Sequence, residues 1–190
     1  MNRRELLKCI AALTGGTVIG AEALLSGCVG KGQTAAVFTD DDLNLLAEIA
    51  DTILPATQTP GAKEAGVGTF MTVMVNDCYE EKDQKIFHEG LAALNEACEK
   101  QTGKKFMEAD AAQRQSFLKT LDKEASDYAK NKKHEEPAHY FTMMKQLTLL
   151  GYFTSEIGMT KALRYLPVPG RYDGCVDYKK GDRIQAGLAG

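Results

Sequence analysis

TDDDLNLLAEIADTILP, residues 39–55, decides the fold class of this 190-residue chain. Thr39 followed by three aspartates is typical of a helix N-terminus, where a side chain caps the first turn and acidic groups face the positive end of the helix dipole. Apolar residues then recur at spacings of three and four until Pro55 ends the run. The pattern predicts an amphipathic helix. No segment of the chain alternates convincingly between apolar and polar residues, as a half-buried strand would.

The remainder of the chain predicts four more helices and a short sixth one by the same periodicity. Their expected extents are about Val67 to Tyr79, Lys82 to Gly103, Asp110 to the charged loop Asn131–Glu136, Pro137 to Phe153, and Ser155 to Leu166. Gly103 and the pair Asp110/Gln113 are expected to act as caps, with Pro137 in the first turn of the fifth helix. The segment GYFTS, residues 151–155, is expected to break that helix. We therefore expect an all-α fold, a single domain of five to six helices over residues 39–190 with an irregular C-terminal tail.

The N-terminus has the features of an export signal. Arg3 and Arg4 are followed by Leu-Leu-Lys, and then by a weakly apolar run, Cys9 to Ala21. That run is shorter than the roughly 20 apolar residues a membrane-spanning helix needs. Adjacent arginines before a weakly apolar segment indicate the twin-arginine export route.

Leu25-Ser26-Gly27-Cys28 resembles the cleavage box of bacterial lipoproteins. It predicts a signal peptide over residues 1–27, a lipid on Cys28 and a tether over residues 28–38. We expect an exported lipoprotein held on the periplasmic side of a membrane. The sequence leaves open whether this is the inner or the outer membrane.

Three cysteines remain in the mature chain, because Cys9 leaves with the signal and Cys28 carries the lipid. An odd number in an oxidising compartment predicts one internal disulfide with a leftover thiol, or a bond to another chain. At 1.5 Å per residue, Cys78 and Cys98 would lie roughly 24 Å apart in a helical hairpin, too far for a disulfide. We expect Cys175 to be the bonded one, with Cys78 or with a partner chain.

The motifs of cofactor and metal chemistry are missing from the sequence. There is no glycine-rich nucleotide loop, no haem-attachment motif and no paired close cysteine spacing. His134 and His139 are five residues apart around a proline, whereas a helical zinc site needs a spacing of four. The sequence therefore predicts no catalytic, cofactor or metal residue in this chain, and the net charge of −3 without a basic patch argues against a nucleic-acid partner.

A twin-arginine signal on a chain without a cofactor motif indicates that the signal serves a partner. That route exports folded proteins, which typically carry a cofactor inserted in the cytoplasm.

Five segments carry a resemblance to a known family: IADTILP (49–55), TPGA (59–62), VNDCY (75–79), LTLLGYFTSE (147–156) and PVPGRYDGC (167–175). Together they resemble the gluconate 2-dehydrogenase subunit 3 family. The resemblance implies a non-catalytic helical subunit that binds a large FAD-dependent dehydrogenase of the glucose–methanol–choline type. FAD and catalysis belong to that large subunit, and a cytochrome c subunit with haem c often completes the assembly. The cleavage box at Cys28 departs from many relatives and implies that this subunit helps to anchor the complex.

Two segments are candidates for the partner interface. Pro167 and Pro169 stiffen the chain, and Arg171 and Tyr172 are residue types enriched at interface hot spots. Tyr152 and Phe153 are the candidates in the other segment. The alternative is that both segments fold back on their own bundle.

Two rival functions remain open at this point. One is a self-sufficient periplasmic enzyme with a site assembled from distant residues such as His139, Glu156 and Asp173. The other is a free-standing lipoprotein that binds a small molecule within the bundle.

Overall fold

A computed structural model describes residues 38–134, 136–168, 170, 175 and 177–186. The chain forms α1 (Asp40–Ile53), α2 (Val67–Cys78), α3 (Glu81–Thr102), α4 (Ala111–Asn131), α5 (Tyr140–Thr154), a π-helix (Gly158–Ala162), β1 (Arg164–Tyr165) and β2 (Gln185–Ala186). The predicted all-α fold is confirmed. The predicted signal peptide with Arg3 and Arg4, the lipid site Cys28 and the tether up to residue 37 lie outside the described residues.

The predicted helix caps are confirmed. The Thr39 side chain accepts a hydrogen bond from the Asp42 N–H at 3.2 Å, and the Asp42 carboxylate accepts one from the Thr39 N–H at 2.9 Å. Asp110 and Gln113 make the same reciprocal pair at the start of α4. Gly103 ends α3 with a φ of 75°, a left-handed conformation that glycine adopts without steric cost.

The start of α5 differs from the prediction. Pro137 lies outside the helix, where its carbonyl accepts a hydrogen bond from the Tyr128 hydroxyl at 3.2 Å. His139 caps the helix instead, because its Nδ1 accepts the Phe141 N–H at 3.2 Å. The imidazole thus replaces the hydroxyl or carboxylate that usually caps a first turn.

α5 runs through Gly151 and ends at Thr154, inside the segment 151–155 that was expected to break it. A Cβ atom at Gly151 would lie 2.6 Å from the ring of Phe70, so the glycine allows α2 to pack closely against α5. Gly90 plays the same part for α3, where a Cβ would lie 2.4 Å from the side chain of Tyr140. α5 contacts all four other α-helices and is the central element of the bundle.

The predicted sixth helix is a π-helix that ends at Ala162 rather than near Leu166. Ser155 precedes it as expected, and its Oγ accepts the Gly158 N–H at 3.0 Å. The tail then forms a two-stranded parallel sheet in which Arg164 pairs with Gln185 and Tyr165 with Ala186. The sequence did not predict this pairing.

Arg114 connects three parts of the bundle at a site where it is only 17% exposed. It donates to Glu48 of α1 at 2.6 Å, and to the carbonyls of Phe106 and Met107 at 2.9 and 2.8 Å. Glu48 also pairs with Lys63. The cluster fixes α1 to the start of α4 and to the loop that precedes it.

This cluster gives the protein a pH dependence at its acidic limit. The hydrogen bond from Lys63 lowers the pKa of Glu48 below its ordinary 4.5, burial opposes this, and the charges of Lys63 and Arg114 lower the pKa further. Since the folded chain holds this proton less tightly than the unfolded one, the stabilisation is present above about pH 4.5 and is lost as the pH falls through the folded pKa. We expect the stability difference between wild type and Glu48→Gln, measured by urea unfolding, to shrink below about pH 4.5. A difference that stays constant down to about pH 3 would contradict this assignment.

None of the described helices is long and apolar enough to cross a membrane.

Candidate partner-binding surface

The outer face of α5 is apolar near its C-terminal end. Leu149, Leu150 and Phe153 are 39%, 47% and 38% exposed, and their spacing of three and four places them on one face of the helix. The inner faces of α5 are buried in the core. A helical segment that is apolar nearly all round is normally covered on every side, and α5 has this character only beyond the exposed Gln146. The exposed face of α5 therefore has the character of an interface.

The tail continues this apolar character. Among the described residues, ten large hydrophobic side chains are exposed, and seven of them fall between Leu149 and Ile184. Besides the three on α5, they are Tyr165, Val168, Tyr178 and Ile184. We call these seven the C-terminal apolar residues. Residues 149–184 make up about a fifth of the chain, and a large exposed apolar patch marks an interaction site.

A family model for gluconate 2-dehydrogenase subunit 3 matches residues 40–170. The chain belongs to the gluconate 2-dehydrogenase subunit 3 family. The match covers α1 to β1 and ends before Tyr178 and β2. A subunit 3 of this kind implies a multi-subunit dehydrogenase complex. No curated protein and no solved structure matches the chain.

The residues of this subunit 3 that the sequence predicts at a partner interface differ in their exposure. Tyr152 is only 4% exposed, and its hydroxyl donates to the Pro60 carbonyl at 2.8 Å. It is a core residue, so the expectation that it contacts a partner is corrected. Phe153 and Pro167 are exposed, as an interface role requires.

Pro169, Arg171 and Tyr172 lie outside the described residues. Their role at a partner interface stays a prediction. Leu149 and Leu150 were missed as interface candidates. The apolar run LTLL was a usable signal for them, because a single core-facing stripe does not need apolar residues at every one of those positions.

The cysteines of subunit 3 are free thiols where the structure describes them. Cys78 and Cys175 are exposed, whereas Cys98 is buried with its sulfur 3.7 Å from the Thr102 hydroxyl. Cys98 is therefore shielded from oxidants and from other thiols. The pairing of Cys175 with Cys78, or with a partner chain, stays a prediction.

Two residues of the rival enzymatic function, His139 and Glu156, are not brought together. His139 caps the start of α5 and Glu156 follows its end, so roughly 20 Å of helix separates them. Burial lowers the pKa of His139, and the charge of Glu124 opposes this shift. The lowered pKa favours the neutral imidazole, which is the form that can accept the hydrogen bond from the Phe141 N–H. Asp173 lies outside the described residues, among which no cluster of three or more potential metal-ligating acids, histidines or cysteines occurs.

His88 is the one histidine with an unusual environment in the described chain. Its ring stacks on Phe38 with 4.1 Å between centroids, and its buried Nε2 has no hydrogen-bond partner. Burial lowers the pKa of His88, while Asp42 opposes the shift. The contact joins the first described residue of the chain to α3, and we assign it to packing.

The rival small-molecule function would need a deep apolar pocket. The cavity with an apolar floor, lined by Ile53, Leu118 and Phe141, has a volume of about 200 Å³. Lys119, Asp122 and Lys145 also line it, with Lys145 paired to Asp122 at 2.6 Å. This shallow, charged depression does not favour a small apolar ligand.

Proposed function

We propose that this subunit 3 binds, co-exports and helps to anchor a FAD-dependent dehydrogenase of the glucose–methanol–choline type, acting on a sugar or a sugar acid such as gluconate. FAD and the catalytic step belong to the large subunit, and haem c to a cytochrome subunit where one is present. The complex lies on the periplasmic side of a membrane, attached through the lipid on Cys28. The observation that carries the proposal is the uncovered apolar face of α5 in a chain that belongs to a dehydrogenase subunit family.

The physical argument starts from the cost of exposing that face. Burial of apolar surface contributes about 25 cal/mol per Å², so three large side chains on one helical face are a substantial source of affinity once covered. Binding energy concentrates in well-packed, desolvated pockets near the centre of an interface, where such side chains would lie. The tail adds Tyr165 and Tyr178, a residue type enriched at hot spots.

A charge placed on this face tests the binding step. We expect Leu150→Glu to weaken the complex with the large subunit about 30-fold, since the charge would have to be desolvated on docking. Met107→Glu is the matched control, because Met107 is 43% exposed in the loop before α4 and is not one of the C-terminal apolar residues. Affinity is measured by titration of the purified large subunit, and melting of each isolated variant checks its fold. Equal affinities for Leu150→Glu and wild type would remove the face of α5 from the interface.

The signal residues test the export step. Replacing Arg3 and Arg4 by lysine keeps the charge but removes the paired guanidinium groups that the twin-arginine route recognises. The large subunit should then stay in the cytoplasm, folded and loaded with flavin, while periplasmic dehydrogenase activity is lost. Fractionation followed by an activity assay measures this. Unchanged export of the dehydrogenase in the double variant would show that the signal serves this chain alone.

Cys28→Ala separates anchoring from export. The activity should still reach the periplasmic side but move from the membrane fraction to the soluble one. Lasting attachment needs more than one acyl chain, which a bacterial lipoprotein cysteine carries. Activity that stays with the membrane would assign the anchor to another subunit.

A further inference from the structure

The sheet formed by β1 and β2 is unusually exposed for a parallel pair. Parallel strands normally occur in sheets covered on both faces, and a two-stranded sheet is marginal by itself. Here Arg164, Tyr165 and Gln185 are all exposed, and no further described strand joins the pair. A sheet of this kind is incomplete in the isolated chain.

The register identifies which main-chain groups are unpaired. The Arg164 N–H donates to the Ile184 carbonyl at 2.9 Å, and Arg164 lies opposite Gln185. In such a ladder the N–H and C=O groups of alternate residues face the same neighbour. The main-chain groups of Ile184 and Ala186 therefore face β1, and the N–H and C=O of Gln185 face the outer edge of β2.

The two outer edges are not equivalent. By the same alternation, the outer edge of β1 carries the main-chain groups of Tyr165. Two residues further along the chain, the main-chain groups of Pro167 would face the same edge. Proline has no N–H and protects an edge against further pairing. β2 has no proline, so its outer edge is the one open to an added strand.

The tail holds β2 in place for such an addition. The Arg183 guanidinium donates to the carbonyls of Thr160 and Lys161 at 3.0 and 3.3 Å, which fixes the start of β2 to the end of the π-helix. The turn before it is closed by reciprocal hydrogen bonds of 2.9 Å between Lys179 and Asp182. A preordered edge loses little entropy on binding.

The side chains indicate the chemistry of the added strand. Successive side chains of a strand point to opposite faces of the sheet. Because Arg164 lies opposite Gln185, the neighbouring residues Ile184 and Tyr165 share the other face. Both are exposed, at 69% and 48%. Arg164 and Gln185 lie on the opposite, polar face. A groove of about 420 Å³ runs beside β2, lined by Arg164, Asp177, Tyr178, Asp182, Arg183, Ile184 and Gln185.

We propose that the outer edge of β2 takes up an extended segment of the large dehydrogenase subunit as a third strand, with apolar residues at alternate positions that pack against Ile184. The inference rests on the proposed function, which supplies the partner, and adds the manner of its recognition. Main-chain hydrogen bonds to Gln185 give the affinity of such strand addition, and the apolar face gives its selectivity.

The test compares Gln185→Pro with Gln185→Ala in the full-length chain. Proline is tolerated in an edge strand where its nitrogen faces outward, so the pairing of β2 with β1 should survive. Strand addition predicts that Gln185→Pro weakens binding of the purified large subunit about tenfold, whereas Gln185→Ala, which keeps the N–H, binds as wild type. Equal weakening by both variants, or by neither, overturns the inference. If neither variant weakens binding but Leu150→Glu does, the proposed function stands without strand addition.

Hydrogen exchange of the wild-type chain gives a second measurement that needs no variant. The Gln185 amide should exchange rapidly in the isolated protein and about a hundredfold more slowly in the complex. Unchanged exchange at Gln185 in the complex overturns strand addition. Protection of this amide by self-association of the isolated chain would also overturn it, because the added strand would then come from a second copy. If wild type forms no complex with the dehydrogenase, the proposed function and this inference fail together.

Discussion

Replacement of Arg114 by methionine is expected to lower the free energy of unfolding by about 3 kcal/mol. The variant would leave Glu48, which is 19% exposed, without its most buried partner. The carbonyls of Phe106 and Met107 would each lose the guanidinium donor they now share. Hydrogen bonds from a charged group contribute about 1.5–3 kcal/mol each, and methionine recovers only the packing of the aliphatic stem.

A surface ion pair provides the comparison for Arg114. Lys145 and Asp122 also form a close pair, but their side chains are 41% and 46% exposed. Exposed pairs contribute less than about 1 kcal/mol, so Lys145→Met should unfold at almost the wild-type urea concentration. Urea unfolding followed by circular dichroism measures both variants. Similar losses in Arg114→Met and Lys145→Met would show that the Arg114 cluster adds no more than a surface contact.

Gly158→Ala is expected to have an effect of similar size, about 3 kcal/mol, through steric overlap. A Cβ atom at this position would lie 1.9 Å from the Tyr152 carbonyl oxygen, which belongs to the backbone and cannot rotate away. Relief of the overlap requires the π-helix to move from the end of α5. That movement would disturb the hydrogen bond between the Tyr152 hydroxyl and the Pro60 carbonyl. It would also release the tail that Arg183 holds against the π-helix.

Thermal melting measures the stability of this variant, and limited proteolysis measures the release of its tail. We expect a lower melting temperature and faster cleavage between Arg164 and Gln185. Thr160→Ala is the control within the same π-helix, because Thr160 is exposed and should change stability by less than about 0.5 kcal/mol. Wild-type stability in Gly158→Ala would mean that the π-helix adjusts without cost.

The helices could be predicted where their signals are local. The capping pairs Thr39/Asp42 and Asp110/Gln113 and the terminal Gly103 each involve residues within four positions, and all were read correctly from the sequence. Pro137 was misplaced because the helix begins three residues later, at Tyr140, where the ring of His139 caps the first turn.

The errors share a physical cause, which is contact between residues distant in the chain. Nothing near Gly151 in the sequence reveals that Phe70 of α2 packs against it. The pairing of β1 with β2 depends on Arg183 reaching the π-helix, which periodicity does not encode. The candidate surface was found only in part for the same reason: Tyr152 and Phe153 are neighbours in sequence, but one faces Pro60 and the other faces outward.

The hydrogen bond between Tyr152 and Pro60 has a consequence for the order of folding. The two residues are 92 positions apart, so the bond closes a loop that contains α2, α3 and α4. Closing a loop of that length costs roughly 4 kcal/mol of chain entropy, whereas neighbouring helices meet across short connections. Helices that are neighbours in the chain can thus associate early, both in refolding and as they leave the ribosome, and the contact of α5 with the loop at Pro60 forms late. Because the inner faces of α5 must be seated before its outer face can serve as a surface, a partner that binds Leu149, Leu150 and Phe153 recognises only chains that have finished folding.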